Sequence, residues 1–324
     1  MKKVLFIAPD SFGIIKVIKE QLCGNDEYSA DYIDLVLEDT ERFRYKNFAH
    51  RAKNFYFKKV RNRNLKHTHY NKCIRKKIIQ SKEMYDVIVI IRPDLVNDEN
   101  LQLLRHRTKH YAAYYWDSVS FFPRKLAVRH FFDRVFSFDI NDCRNYGFEL
   151  LTNFYFYEEE AVEKKYKVYG LLSHDERTTL LEKVAAKLRT TGISFCIKIF
   201  SQKPFQSNYL TCITEVLDYK EMLKEISCSV VLLEVQKKGQ RGLTFRPFEA
   251  LGMKKKLITN NPLIKEYDFY SEHNICIIDP ENITIPATFF STPYREIDPQ
   301  IRAKYHFRHW FNKLVSPLPV NFAG

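Results

Sequence analysis

Apolar runs of strand length recur along the chain and alternate with segments whose apolar residues are spaced as on one face of a helix. The clearest runs lie at residues 4–8, 85–92 and 229–235, and continuous runs of this kind are typical of parallel strands covered on both faces. Helical spacing follows at residues 14–22 and 180–188. Strands that alternate with helices predict an α/β fold built on parallel sheets.

The alternation of strand and helix occurs twice, with a polar stretch between the two halves. Residues 158–165 run from acidic to basic without an apolar period, which indicates a linker. We therefore predict two Rossmann-like domains, at residues 1–157 and 166–300, each a doubly wound sheet. Residues 301–324 are predicted to hold a C-terminal helix, with helical spacing at residues 302–314. Strands are also predicted at residues 149–156 and 168–170. Residues 173–177 and Asp218 are each predicted to cap a helix.

Composition is that of a folded protein without a membrane-spanning helix. Of the 324 residues, 45% are hydrophobic and 15% are aromatic, and no run reaches about 18 apolar residues. The run at residues 4–8 is too short for the core of a signal peptide and is interrupted by Pro9 and Asp10, which favours a first buried strand. Seven scattered cysteines without a C-x-x-C pair indicate reduced thiols of a cytoplasmic protein and no zinc site.

The positive charge is concentrated in one segment. The net charge is +13, yet residues 42–82 hold fifteen Lys or Arg and no Asp or Glu, so the remainder of the chain carries −2. Aromatic residues are interleaved with these cations. We predict helices with long basic side chains, inserted in the first domain.

Four interpretations of residues 42–82 stay open. Basic and aromatic residues together suit an anionic lipid surface, or a phosphorylated glycolipid acceptor. Nucleic acid is a less favoured partner, and a solvated helix face is the usual fate of a charge run. The residues assigned to acceptor or membrane contact are Ser11, Gly13, Arg44, Arg51, Lys58, Lys59, Arg61 and Arg63.

Residues 229–260 carry the strongest functional signal. An apolar strand is followed by a turn with two glycines, by a helix that Gly252 is placed to stop, and by another short strand. A helix that begins after a glycine turn offers backbone N–H groups and a positive dipole to an anion. Thr244 and Arg246 can join those donors on a phosphate, and Glu249 can accept hydrogen bonds from ribose hydroxyls. The alternative is an ordinary βαβ unit in which Arg246 and Glu249 form a surface ion pair.

The sequence GLTFRPFEALGMKKKLIT, residues 242–259, resembles the donor-binding segment of GT-B glycosyltransferases. That family often carries E-G-x-x-x-x-x-x-E-A-x-x-x-G-K-P-V-I, and Gly242, Glu249 and Ala250 fall in matching places. The first glutamate, which touches the donor sugar in the family, is replaced by Arg241, so the resemblance does not define the sugar or the stereochemical course. The resemblance covers about a tenth of the chain.

The resemblance implies two Rossmann-like domains facing a cleft, with a nucleotide-sugar donor on the second domain and the C-terminal helix crossing back onto the first. It implies transfer of a sugar to a glycan or glycolipid acceptor, as in bacterial surface polysaccharide or lipopolysaccharide synthesis. The class generally needs neither a bound metal nor another cofactor. The expected location is the cytoplasm, with peripheral attachment to the inner face of the membrane if the basic segment meets lipid.

Site residues follow from the same resemblance and from strand ends. Asp10 is a candidate base or a turn cap, and Asp117 is a candidate for acceptor binding or base catalysis, or a helix N-cap. Arg241 and Arg246 complete the catalytic candidates. His174 can hydrogen-bond a phosphate, and the alternative is a structural role as a lone histidine beside a helix cap. The predicted donor-binding residues are Gly170, Ser173, His174, Ser201, Lys203, Gly242, Leu243, Thr244, Arg246 and Glu249.

Two other functions fit the sequence. A nucleotide-sugar epimerase, or a binder of nucleotide sugars without catalysis, can use the same scaffold, because fold does not fix function. A nucleic-acid-binding protein acting through residues 42–82 is the third class.

Overall fold

A computed structural model describes residues 1–10, 12–22, 27–60, 64–81, 83–158, 162–240 and 242–316. The predicted site residues Ser11, Arg61, Arg63 and Arg241 lie outside them. The chain divides into two compact units. The first holds Met1–Ser137, Tyr146–Glu149 and the stretch from Leu314, and the second holds Phe138–Asn145 and Leu150–Lys313.

The first unit contains a six-stranded sheet with the strand order β2-β1-β3-β4-β5-β6. Its strands are β1 Lys2–Ala8, β2 Tyr28–Asp34, β3 Tyr85–Ile91, β4 Thr108–Tyr115, β5 Arg134–Ser137 and β6 Glu149–Leu150. The pairs from β2 to β5 are parallel. The apolar runs of β1 and β3 are buried at the centre of the sheet, as expected for strands covered on both faces.

Among the residues described up to position 150, six α-helices accompany these strands. They are α1 Ile14–Leu22, α2 Phe48–Val60, α3 Leu65–Gln80, α4 Asp98–Arg105, α5 Arg124–Val128 and α6 Ile140–Tyr146, with 3-10 turns at Pro93–Leu95 and Arg129–Phe131. The predicted strand at residues 149–156 is wrong beyond Leu150. Tyr155 instead exchanges backbone hydrogen bonds with Tyr305 and Phe307, so this stretch pairs with the C-terminal part of the chain.

The second unit contains a parallel six-stranded sheet with the order β12-β11-β10-β7-β8-β9. The strands are β7 Tyr166–Ser173, β8 Phe195–Phe200, β9 Thr211–Ile213, β10 Ser229–Glu234, β11 Lys256–Thr259 and β12 Ile275–Ile277. Two apolar clusters form its core, one with Val231 and Ile258 and the other with Leu232 and Phe248.

The described stretches from residue 162 to residue 316 hold six α-helices. They are α7 Thr178–Thr190, α8 Tyr219–Ser227, α9 Phe245–Gly252, α10 Ala287–Ser291, α11 Pro299–Lys304 and α12 Phe307–Val315, with a 3-10 turn at Pro262–Glu266. The predicted cap of α8 is confirmed, because Asp218 and Glu221 form a reciprocal capping box. The single helix predicted at residues 302–314 is wrong, because the chain breaks between α11 and α12 to pair with Tyr155. The predicted packing of this end on the first domain stays a prediction.

The role predicted for Gly252 is also corrected. This glycine is the last residue of α9, and the left-handed residue after the helix is Lys254, with φ of 50°. A Cβ atom at position 252 would overlap the ring of Tyr155. Glycine is therefore needed here for close packing and not for a left-handed turn.

The predicted α/β fold class, with two parallel sheets, is confirmed. No helix within the described ranges combines the length and apolarity needed to cross a membrane. No disulfide joins the six cysteines in those ranges.

Candidate functional site

Three strands of the second sheet end next to one another at its carboxyl end. β10 ends at Glu234, which is in register with Thr259 at the end of β11, and β10 also pairs with β7. Open parallel sheets bind ligands outside the carboxyl ends of their strands. Helix α9 begins directly after the loop that follows β10, so its N-terminus belongs to this region.

Glu234 links the end of β10 to the start of α9. The residue is 5% exposed, and its carboxylate accepts hydrogen bonds from Thr259 Oγ1 at 2.5 Å and from Thr244 Oγ1 at 3.3 Å. Burial raises the pKa of Glu234. Thr244 is the N-cap residue of α9, but its hydroxyl bonds to Glu234 and not to the helix. The sequence interpretation missed Glu234 as a site residue. An acidic residue at the end of an apolar strand was the signal that could have identified it.

An ion cluster lies on the loops after β7 and β10. Arg177 donates two hydrogen bonds of 2.8 Å to the carboxylate of Asp175 and one of 3.0 Å to the Val235 carbonyl. Lys237 Nζ lies 3.5 Å from the same carboxylate. Burial alone would raise the pKa of Asp175, but the hydrogen bonds from Arg177 outweigh it and lower that pKa. Two cations and one carboxylate leave one positive charge in this cluster. The stretch predicted to cap α7 holds its N-cap residue, Arg177, but that residue makes no side-chain hydrogen bond to the helix because its guanidinium binds Asp175.

The glycine turn is closed by the protein's own groups. A Cβ atom on Gly242 would overlap the ring of Phe138, and its carbonyl accepts from Gln236 Nε2 at 2.5 Å. Leu243 is buried in the core, and its carbonyl accepts from Asn153 Nδ2 at 2.9 Å. Gly242 therefore does not open a phosphate pocket on the side that Phe138 fills.

Arg246 and Glu249 form an ion pair that is buried and not on the surface. Arg246 Nη1 lies 2.8 Å from Glu249 Oε2, and the two side chains are 11% and 3% exposed. Burial raises the pKa of Tyr219 well above its ordinary value, and the Glu249 carboxylate raises it further. The surface-pair alternative is thus wrong about exposure, and the ribose contact of Glu249 stays a prediction.

The other predicted donor residues lie on β7, β8 and the loops that follow. Gly170 is buried within β7 between Ile197 and Leu233, because the strand continues to Ser173 and does not end at residue 170 as predicted. The amide of His174 donates to the Phe200 carbonyl. The Ser201 hydroxyl donates to the Lys203 carbonyl at 2.7 Å, which closes the turn after β8. Ser173, His174, Ser201 and Lys203 thus gather at the carboxyl end of the sheet, and their donor contacts stay predictions.

Asp10 caps the first helix of the first unit. Its carboxylate accepts a hydrogen bond of 3.2 Å from the Ile15 amide, and its own amide donates to Asp34 at 3.1 Å. The turn-capping alternative is therefore observed. Gly13, in the same loop, has φ of 74°. Burial raises the pKa of Asp10, a direction that suits a base near neutral pH.

Asp117 follows β4 and is held by two cations. Arg92 Nη1 lies 3.6 Å from its carboxylate, and Lys125 Nζ donates to its backbone carbonyl at 2.6 Å. The N-cap alternative is wrong, because α5 begins at Arg124 with Pro123 as its N-cap.

The sequence interpretation missed Arg92. This residue has φ of 65°, donates twice to Asp94, and places its guanidinium 3.8 Å from the ring centroid of Phe122. A non-glycine residue in this conformation is strained, and such strain concentrates at functional sites. An arginine directly after an apolar strand was the available signal.

The basic segment holds helices α2 and α3, and α2 is the more exposed of the two. In α2 only Asn54 is buried, whereas Phe48, Phe55 and Tyr56 are 85%, 66% and 54% exposed. The predicted contact residues Arg44, Arg51, Lys58 and Lys59 are exposed as well. Within the described ranges none of these four has a carboxylate at salt-bridge distance.

Comparison with known proteins gives a likeness of structure alone. No family model matches the chain, and no curated protein matches it. The N-terminal domain of trehalose-6-phosphate phosphatase from Candida albicans matches with a TM-score of 0.51 at 10% identity, over 97% of this chain and 93% of that one. This likeness shows the shared fold.

Two further structures are less similar. UDP-GlcNAc 2-epimerase from Methanocaldococcus jannaschii, bound to UDP-GlcNAc and UDP, has a TM-score of 0.47 at 12% identity over 86% of this chain and 89% of that one. UGT2 from Phytolacca americana, bound to UDP-2fluoro-glucose and pterostilbene, has a TM-score of 0.44 at 9% identity over 97% and 94%.

Proposed function

We propose that this protein is a glycosyltransferase that moves a sugar from a nucleotide-sugar donor to a glycan or glycolipid acceptor. The observation that carries the proposal is the convergence, at the carboxyl end of the second sheet, of the α9 N-terminus with Arg177 and Lys237. Helix N-termini and basic side chains are the groups that bind phosphate in this kind of fold. The resemblance of residues 242–259 to a GT-B donor segment supports the same assignment.

The proposed reaction assigns a role to each group. The acceptor hydroxyl oxygen forms a bond to the anomeric carbon, and the bond from that carbon to the diphosphate oxygen breaks. The electron pair leaves on the nucleoside diphosphate, whose charge the α9 N-terminus, Thr244 and Arg246 stabilise. The hydroxyl proton passes to a carboxylate, for which Asp10 and Asp117 are the candidates.

The donor site is tested by binding and turnover. The protein is titrated with UDP, GDP, CMP and ADP in a calorimeter, and labelled sugars of the same nucleotides are assayed for release of free sugar. Lys237→Gln and Thr244→Val are expected to weaken binding of the preferred nucleotide about tenfold each, since each removes one hydrogen-bond donor to a charged group. Lys224→Gln, an exposed lysine on α8, is the matched control and is expected to bind normally.

Two results would contradict the proposal. Absence of binding to all four nucleotides would remove the donor site. Conversion of a nucleotide sugar into its epimer, with no sugar released or transferred, would replace the transferase with an epimerase.

The acceptor side of the proposal rests on the exposed α2 helix. Its aromatic rings and exposed cations match the requirements of an anionic lipid surface or of a phosphorylated glycolipid, because both present negative charge beside apolar chains. Nucleic acid is the alternative, and a steep dependence of RNA binding on salt would favour it.

A further inference from the structure

Helix α2 has one side that is both exposed and apolar. Four exposed residues share this side, at the helical spacing of i, i+4, i+7 and i+8: Phe48, Ala52, Phe55 and Tyr56. We call these four residues the apolar face. Exposed apolar side chains that lie together indicate a surface that meets a partner or a membrane, whereas single ones carry no such meaning.

The opposite side of α2 holds the helix to the rest of the first unit. His50, Asn54 and Phe57 recur there at helical spacing, and they are the residues of α2 that are buried or half-buried. Asn54 donates to the Tyr45 hydroxyl and accepts from the Leu65 amide, each at 2.7 Å. These contacts fix which side of the helix is turned outwards, so the exposure of the apolar face is built into the fold.

Cations border the apolar face on both sides. Arg51 and Lys58 lie along the border next to Phe55, four positions before it and three positions after it. Lys53 lies along the other border, and α2 contains no acidic residue. Lys59 falls within the face, but its long stem allows the charge to reach outwards. Aromatic rings between rows of cations are typical of a helix that lies in the plane of a membrane interface.

The two other partners considered for this segment fit the geometry less well. Nucleic acid is bound in a positively charged groove with aromatic rings along it, and one side of a single helix forms no groove. A single phosphorylated headgroup is bound in a concave site, and the apolar face of α2 is convex. A bilayer is the partner that offers a flat apolar layer beneath a charged one.

We propose that α2 lies in the interface of an anionic bilayer, with its apolar face inserted towards the acyl chains and its bordering cations among the headgroups. Burial of the rings then adds to the attraction between charges. The inference deepens the acceptor side of the proposed function and rests on it for the choice of lipid as the partner. Its test contains no nucleotide sugar, so it does not depend on sugar transfer.

The first test is binding of the full chain to vesicles of phosphatidylcholine with about a third phosphatidylserine. Phe48→Ser/Phe55→Ser is expected to weaken binding about a hundredfold, at about tenfold for each ring. The dependence of binding on salt is expected to stay the same, because the cations are intact. Met84→Ser/Phe121→Ser removes two exposed apolar side chains elsewhere in the first unit and is the matched control, expected to bind normally.

The second test reads insertion directly, with lipids brominated on their acyl chains that quench nearby tryptophan. Phe55→Trp is expected to add fluorescence that these vesicles quench. Phe57→Trp, on the side of Asn54, is the matched control and is expected to add fluorescence that they do not quench. The unaltered protein, with Trp116 and Trp310, supplies the background.

Each competing outcome is distinguishable. Normal binding of Phe48→Ser/Phe55→Ser would show that charge alone attracts the protein and would overturn insertion. Equal quenching at positions 55 and 57 would overturn the orientation of the helix. Binding that appears only when a phosphorylated glycolipid is added would assign the surface to that headgroup instead. Quenching at position 55 in a protein that transfers no sugar would support this inference and remove the transferase, whereas sugar transfer without quenching would remove this inference alone.

Discussion

At the scale of single residues, the second unit is distinguished by ionisable side chains that are buried away from water. Glu234, Glu249 and Lys256 are each at most 5% exposed. A buried ionised group raises the free energy of the folded state unless partners compensate it. Loss of a partner of one of these residues is therefore expected to change the free energy of unfolding more than loss of a partner of a surface charge does.

The Arg246–Glu249 pair provides the first prediction. Arg246→Gln leaves a buried carboxylate without its cation and is expected to lower the free energy of unfolding by about 3–5 kcal/mol. Arg246→Gln/Glu249→Gln removes both charges and is expected to recover most of that loss, as measured by urea unfolding.

The same double variant separates structure from function. If Glu249 binds the ribose as proposed, the recovered protein still binds its nucleotide more weakly than the unaltered chain. Normal nucleotide affinity in a well-folded double variant would leave the pair with a structural role only. An equal loss of stability in the single and double variants would show that the two charges are not coupled.

Glu234 gives the pH prediction. Burial raises its pKa above the ordinary 4.5, so the folded state binds a proton that the unfolded state releases. Stability from this group is fully present below pH 4.5 and is lost as the pH rises through the folded pKa. The melting temperature of the unaltered protein, relative to Glu234→Gln, is expected to be higher at pH 5 than at pH 7.5.

Glu176→Gln, at an exposed position, is the control and should differ from the unaltered protein by the same amount at both pH values. A relative melting temperature of the unaltered protein that increases from pH 5 to pH 7.5 would show that the Glu234 carboxylate is stabilised as an anion instead.

At the scale of elements, α9 is fixed by contact with a ring and not by a glycine turn. Gly252→Ala is expected to lower the free energy of unfolding by about 1–3 kcal/mol, because the added methyl group must displace Tyr155. Gly170→Ala places its Cβ at 3.5 Å from Ile197 and Leu233, an ordinary contact. The free energy of unfolding of that variant is expected to stay within about 1 kcal/mol of the value for the unaltered protein, because alanine loses less backbone entropy on folding than glycine does. Urea unfolding of both variants tests this prediction, and an equal loss of stability at the two positions would contradict it.

Much of the element structure could be predicted from the sequence. Strands with continuous apolar interiors, such as β1, β3 and β10, were predicted because burial on both faces leaves a pattern within a few residues. The break between α11 and α12 was not predictable, because it depends on pairing with Tyr155, about 150 residues earlier. The role of Gly252 was missed for the same reason.

In the candidate site, too, local features were predictable from the sequence and contacts between distant residues were not. The glycine turn and the α9 N-terminus were predicted from one stretch of sequence. The bond from Arg177 to Val235 and the approach of Phe138 to Gly242 each join residues far apart in the chain. Such contacts depend on which strands lie side by side, and a local pattern does not contain that information.

At the scale of the whole molecule, charge is the dominant feature. The exposed cations and rings of α2 are expected to bind anionic membranes. The protein is expected to sediment with vesicles that contain about a third anionic lipid and to stay in solution with neutral ones. The triple change Lys53→Gln/Lys58→Gln/Lys59→Gln is expected to weaken vesicle binding by about 3 kcal/mol, at about 1 kcal/mol for each cation.

A matched triple change on α3, Lys66→Gln/Lys72→Gln/Lys76→Gln, lowers the charge equally on a helix that buries Asn71, Ile74 and Ile78. Equal loss of binding in the two variants would assign the effect to total charge and not to α2. Equal binding of the unaltered protein to neutral vesicles would exclude an electrostatic surface.

Because α2 buries a single residue, this helix is expected to open locally with little cost in free energy. Asn54 donates to the Tyr45 hydroxyl at 2.7 Å and accepts from the Leu65 amide at 2.7 Å, and no apolar side chain of α2 is buried. Opening this helix costs little hydrophobic free energy. Its amide protons are expected to exchange with deuterium well before those of α7, which buries four side chains. Slower exchange of the α2 amide protons in the presence of anionic vesicles would identify α2 as the surface that contacts the membrane.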